Sequence, residues 1–143
     1  MKQVLVIRFS ALGDVAMLAA VLKDFQTPSD VSLTVLSQTR FEPLFAGLNF
    51  LGADLKGRHK GVKGLNRLLQ DINFRQFDTI IDCHNVLRSR YLDFRFRLAG
   101  KKVCVLSKDR LAKWWLTCRF NRNRQPLTPM PEKYRRLLAL SIT

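Results

Sequence analysis

Val4-Leu5-Val6-Ile7-Arg8-Phe9-Ser10-Ala11-Leu12-Gly13-Asp14-Val15-Ala16-Met17-Leu18-Ala19-Ala20-Val21-Leu22 decides the architecture. An apolar, β-branched run ends at Arg8, a tight Ser-Ala-Leu-Gly turn follows, and a helix opens with a carboxylate in its first turn. A short continuous apolar run bounded by turn residues is the pattern of a strand buried on both faces, as parallel sheets require. The stretch predicts a strand–turn–helix unit whose turn lies at the carboxyl end of the strand, where ligands bind in open α/β sheets. It sets Asp14 in that crevice, where a carboxylate can take a proton from a substrate hydroxyl. A second account of Asp14 stands beside the first: an acid in a helix's first turn complements the macrodipole and needs no substrate. Gly13 is read as permitting the backbone of the turn.

Strands and helices alternate along the rest of the chain. Gln3–Arg8, Val31–Leu36, Phe50–Leu55, Phe77–Cys83 and Val103–Leu106 read as strands. Asp14–Phe25, Phe41–Ala46, Leu65–Phe74, Val86–Leu98, Leu111–Phe120 and Glu132–Leu140 read as helices, and Asn121–Pro131 as a loop. The alternation predicts an α/β fold, a Rossmann-like parallel sheet with helices on both faces. The 143 residues suit one domain with a core, and the 47% hydrophobic content excludes a disordered chain. The apolar runs Val4–Ile7 and Ala16–Leu22 fall short of a signal-peptide core or a membrane span. Cys83, Cys104 and Cys118 show neither metal nor disulfide spacing, which fits idle thiols in a reducing cytoplasm.

Charge is divided unevenly. Residues 1–55 carry four Lys/Arg and five Asp/Glu, net −1, whereas residues 56–143 carry 21 and six, net +15. This asymmetry points to an anionic partner on one side: nucleic acid, an anionic membrane surface or a phosphorylated substrate. Lys56, Arg58 and Lys60 punctuate a glycine-rich loop placed to grip an anion, with Arg58 offering a bidentate fork; a solvated charged loop is the other reading. Asp82-Cys83-His84-Asn85 leaves a predicted strand, so its polar groups share the crevice with Asp14, or else Asp82 and Asn85 cap the next helix. Asp82 and His84 have no companion cluster with metal-ligand spacing. Arg88 and Arg90, two residues apart, do not share a helix face, so at most one points at the crevice. Trp114 and Trp115 beside Lys113 and Arg119 read as an interfacial or base-stacking surface, or as one ring in the core.

Val6-Ile7-Arg8-Phe9-Ser10-Ala11-Leu12-Gly13-Asp14-Val15 resembles the N-terminal signature of the lipopolysaccharide heptosyltransferases, glycosyltransferase family 9. Phe77-Asp78-Thr79-Ile80-Ile81-Asp82-Cys83-His84-Asn85-Val86-Leu87-Arg88-Ser89-Arg90 resembles that family's second N-terminal block. The basic loop Lys56–Lys60 and the helix Glu132–Leu138 also fall where the family has similar elements. The resemblance implies the N-terminal half of a GT-B enzyme, in which this domain holds the acceptor and a second domain holds a nucleotide-sugar donor, usually ADP-heptose. It implies inversion at the anomeric carbon, with no metal and no cofactor. Asp14 matches the proposed general base. Ser10 and Gly13 would lend hydroxyl or N–H contacts, and Asp82, His84 and Asn85 would touch substrate. Lys56, Arg58, Lys60 and Arg88 would hold the acid groups of an acidic sugar or phosphorylated glycolipid acceptor.

On this reading residues 1–125 form the acceptor domain, and residues 126–143 a linker and helix leading toward a donor domain that the chain lacks. The chain alone would fold without catalysing transfer. It would work in the cytoplasm, peripheral to the inner face of the bacterial inner membrane, whose anionic lipids favour a positive surface. The alternative, a stand-alone basic domain for nucleic acid, has no helix-turn-helix, RRM or KH signature to support it. A small phosphatase would want a second aspartate two residues after Asp14, where the chain has Ala16.

Overall fold

Lys2–Ile7 forms strand β1, Leu12–Asp24 helix α1, Val31–Gln38 strand β2 and Asn49–Ala53 strand β3. Gly61–Asp71 forms helix α2, Thr79–Asp82 strand β4, Leu87–Leu98 helix α3 and Lys102–Val105 strand β5. The computed structural model describes residues 2–10, 12–84, 86–105 and 134–139, the last of these helical. The readings placed on Asn85, on the Trp114–Trp115 helix, on Cys118 and on the loop Asn121–Pro131 lie outside the described residues.

The five strands are all parallel, in the order β3-β2-β1-β4-β5. This is the Rossmann-like sheet expected from the alternation. Central β1 explains why the opening stretch is so apolar: Val4, Leu5, Val6 and Ile7 are all fully buried. Each such side chain contributes about 1.5–3 kcal/mol through burial. Strand alternation sends Val4 and Val6 to one face, against Val15, Leu18 and Leu22 of α1. Leu5 and Ile7 go to the other, with Leu65, Leu68 and Leu69 of α2 and Leu92 and Phe96 of α3.

One segment differs from expectation. The helix expected at Phe41–Ala46 is a 3-10 turn over Thr39–Phe45 with Pro43 inside it, because proline removes a donor that an α-helix needs. The helix at 134–139 packs on this domain, with Tyr134 and Leu138 fully buried in the core on the α1 face.

The chain leaves β1 toward β2 and β3 on one side and returns through α2 to β4 on the other. Neighbouring strands β1 and β4 therefore diverge in connection at their carboxyl ends, and a crevice opens there. Parallel pairing puts Ile7 beside Asp82, so the exits of the two strands are adjacent.

Helix α2 lies close under the loop that precedes it, and Gly64 makes this possible: a Cβ at that position would collide with the backbone carbonyl of His59. Gly64→Ala is expected to lower stability by about 1–3 kcal/mol despite alanine's better helix propensity, because backbone has to move. A urea midpoint equal to or above that of the parent chain would contradict this contact.

Candidate functional site at the β1–β4 crevice

Where β1 ends, the backbone turns under several restraints. Arg8 N–H donates to the Leu36 carbonyl of β2 at 3.1 Å, and Gln38 Nε2 donates to the Phe9 carbonyl at 2.6 Å. Arg8 itself is buried, and its guanidinium spans the crevice. One nitrogen donates to the Cys83 carbonyl at the β4 exit (2.7 Å), the other to Asp14 Oδ2 at the start of α1 (2.8 Å). Burying a charge costs several kcal/mol unless it is paired, and these two acceptors offset that cost.

Asp14 is the third residue of α1, and its side chain remains 37% exposed. Its Oδ1 carries no hydrogen bond among the described residues, so one oxygen is anchored on Arg8 and the other is open. Ser10 Oγ lies 3.4 Å from His84 Nε2, and the His84 ring meets Phe9 edge-on, 6.2 Å between centroids. Ser10, Asp14 and His84 thus gather with Arg8 around the adjacent strand exits. Arg8 is the residue that sequence reasoning missed. Its signal was present as a lone cation closing an apolar strand six residues before an acid.

Gly13 does not shape the turn. It is the second residue of α1, lies outside the left-handed region, and a Cβ there would meet nothing within 4 Å. Its bare, exposed backbone leaves room above the helix start. Asp82 does not face the crevice either. Strand parity puts it with Ile80 on the α3 side, where it is fully buried and Oδ1 accepts the His84 N–H at 2.9 Å. At the start of α3, Val86 N–H donates to Ser89 Oγ at 2.9 Å. Cys83 is buried, and burial above all pushes its thiol well up, so it is no nucleophile.

The basic loop divides by function. Arg58 makes a two-pronged ion pair with Asp71 at 2.8 and 3.0 Å, and His59 Nε2 reaches the same carboxylate at 2.7 Å. His59 Nδ1 accepts the Asp54 N–H at 2.9 Å, which leaves the ring proton on Nε2 to donate to Asp71. Arg58 is therefore spent on holding the loop to the far end of α2. Lys56 and Lys60 stay exposed, Lys56 beside Gln38, Thr39 and Arg40 in a hollow of about 340 Å³. Arg88 and Arg90 both border a groove of about 880 Å³ between the starts of α2 and α3. Val62, Leu65, Leu87 and Tyr91 line it too, with Val62 59% and Leu87 85% exposed. Among the described residues no three His, Cys, Asp or Glu side chains are grouped to hold a metal ion, and no helix is long and apolar enough to cross a membrane.

The fold is shared with glycosyltransferases. The E. coli heptosyltransferase WaaC with ADP is similar with a TM-score of 0.57 and 19% identity, over 97% of this chain and 47% of that one. WaaC with ADP-2-deoxy-2-fluoro heptose gives 0.55 and 18%, over 97% and 48%. A family 9 glycosyl transferase from Veillonella parvula DSM 2008 gives 0.59 and 20%, over 99% and 42%. The chain spans about half the length of these structures. No family model matches it, and no curated protein matches it in sequence. The heptosyltransferase likeness of residues 6–15 and 77–90 is met again in three dimensions, as a likeness of fold.

The Asp71 anchor has a pH signature. Hydrogen bonds from Arg58 and then His59 hold its carboxyl well below the ordinary 3.8. A carboxyl lowered by folding adds stability that is complete above 3.8 and is lost as the pH falls below it. Asp71→Asn is expected to flatten the acid limb of the unfolding midpoint plotted against pH, and to speed hydrogen exchange of the Asp54 amide at neutral pH. Unchanged exchange at Asp54 would mean that the loop has another anchor.

Proposed function

We propose that this domain is the acceptor-holding half of a glycosyltransferase that moves a sugar from a nucleotide-sugar, ADP-heptose by preference, to an acidic or phosphorylated glycolipid acceptor of the lipopolysaccharide type. The observation that carries this reading is Asp14: a partly exposed carboxylate at the amino end of α1, one oxygen on Arg8 and the other open, beside the exits of two central strands.

In the proposed reaction an acceptor hydroxyl rests against Asp14 Oδ1. As that hydroxyl oxygen attacks the anomeric carbon of the donor, its proton passes to the carboxylate and the nucleotide leaves with the electron pair of the broken bond, inverting the centre. Asp14 is the catalytic residue. Arg8 is a positioning residue that fixes the carboxylate through Oδ2. Ser10 and His84 offer hydrogen bonds at the same opening, and the exposed backbone at Gly13 leaves room for a sugar ring. Lys56, Lys60 and Arg88 remain as cations for the acceptor's carboxylates or phosphates. The groove between α2 and α3, with exposed Val62 and Leu87 beside Arg88 and Arg90, fits an anionic membrane surface that presents such an acceptor. Base, acceptor and donor must be aligned in one closed cleft, and that alignment supplies much of the rate. The neighbour that holds ADP is about twice as long as this chain, and this reading places the donor site in a second domain of that kind.

Two measurements test the reading. Calorimetric titration of the 143-residue chain with acidic sugars is expected to give weak heats that fade with salt, and titration with ADP-sugars none that saturate. Tight stoichiometric ADP-sugar binding would move the donor site into this domain. In a transfer assay on the protein joined to its donor half, Asp14→Asn is expected to cut turnover by about 100-fold or more while the chain still folds, with a lowered unfolding midpoint because buried Arg8 loses its counter-charge. Near-normal turnover would assign the base elsewhere.

A further inference from the structure

Behind the crevice, on the α3 side of the sheet, two acids meet. Asp93 in mid-α3 and Asp82 at the end of β4 are both buried, and their carboxyls are near enough for a hydrogen bond between them. Two ionised carboxylates cannot make such a bond, because each only accepts. Neither oxygen of Asp93 meets an N–H or O–H donor among the described residues. Asp82 Oδ1 already accepts the His84 N–H. One proton between the two carboxyls resolves the geometry, turning an acceptor–acceptor clash into a donor–acceptor bond.

We propose that Asp93 carries that proton, donates it to Asp82, and by this bridge from α3 to β4 acts as a positioning residue for the exit turn that bears His84 and the Cys83 carbonyl. The same turn supports Arg8, whose guanidinium holds that carbonyl at 2.7 Å. The charged groups facing Asp93 are Asp82 from β4 and, on its own helix, Arg97 and Arg90. Burial, then the hydrogen bond and charge of Asp82, push the Asp93 carboxyl up to about 9, and the two arginines only moderate the rise. The assignment concerns the frame of the crevice and holds whether or not Asp14 is the base, so the two readings fail separately.

The sign of the pH effect follows. The folded chain keeps a proton on Asp93 that the unfolded chain releases near 3.8, so between about pH 4 and pH 9 folding binds one extra proton. Through this group the unfolding constant of the parent chain rises by up to about tenfold per pH unit across that window. Asp93→Asn keeps a donor toward Asp82 without titrating. It is expected to remove this one-proton component and to leave the NMR signals of His84 in place, whereas Asp93→Leu, which has no donor, shifts them. Identical pH slopes for the parent and Asp93→Asn would overturn the proposal. If Asp93→Asn does not fold, infrared spectroscopy of the parent decides: a protonated-carboxyl C=O band at pH 7 that gives way to carboxylate above the folded value supports it, and no such band overturns it.

Discussion

A guanidinium cannot be buried without partners, and in this domain the partners of Arg8 are the structure's key constraint. Arg8 leaves the end of β1 with no solvent to receive its charge, so it must bond what the fold brings to it. It finds a backbone carbonyl at the exit of β4 and a carboxylate in the first turn of α1. The end of β1 and the start of α1 are thereby registered against the exit of β4, 75 residues on, at one edge of the sheet. The spacing of the candidate site, with Asp14 on one side and Ser10 and His84 on the other, depends on that single side chain.

The opposite face of the same edge is governed by a different chemistry. Asp82 and Asp93 lie where apolar packing would be cheapest, and their bond requires a proton rather than a counter-ion. Further out, Asp71 absorbs Arg58 and His59 and pins the basic loop along α2. The net positive charge is thus not uniformly available. One arginine is neutralised by a structural carboxylate, while Lys56, Lys60 and Arg88 remain exposed, and the α2–α3 groove combines cations with apolar side chains.

The pattern of apolar runs made the sheet and its parallel sense legible, because only a strand buried on both faces reads as Val-Leu-Val-Ile. Individual side-chain roles were less legible. Asp82 looked like a crevice residue because it stands at a strand exit, but a strand's two-residue period sent it to the other face. Gly13 looked like a turn residue because glycine often is one, but the helix begins before it.

The sequence by itself determined the α/β alternation, the central place of the stretch from Val4 to Leu22, the position of Asp14 at the head of a helix and the uneven charge, since all four are local properties of composition and period. Tertiary structure alone decided which partners the polar groups took: Arg8 with Cys83 and Asp14, Arg58 and His59 with Asp71, Asp93 with Asp82, and Tyr134 in the core on the α1 face. These partners come from segments up to 75 residues apart. Each pairing is set by how strands are ordered and how helices lie across them, and no local pattern of residues encodes that order.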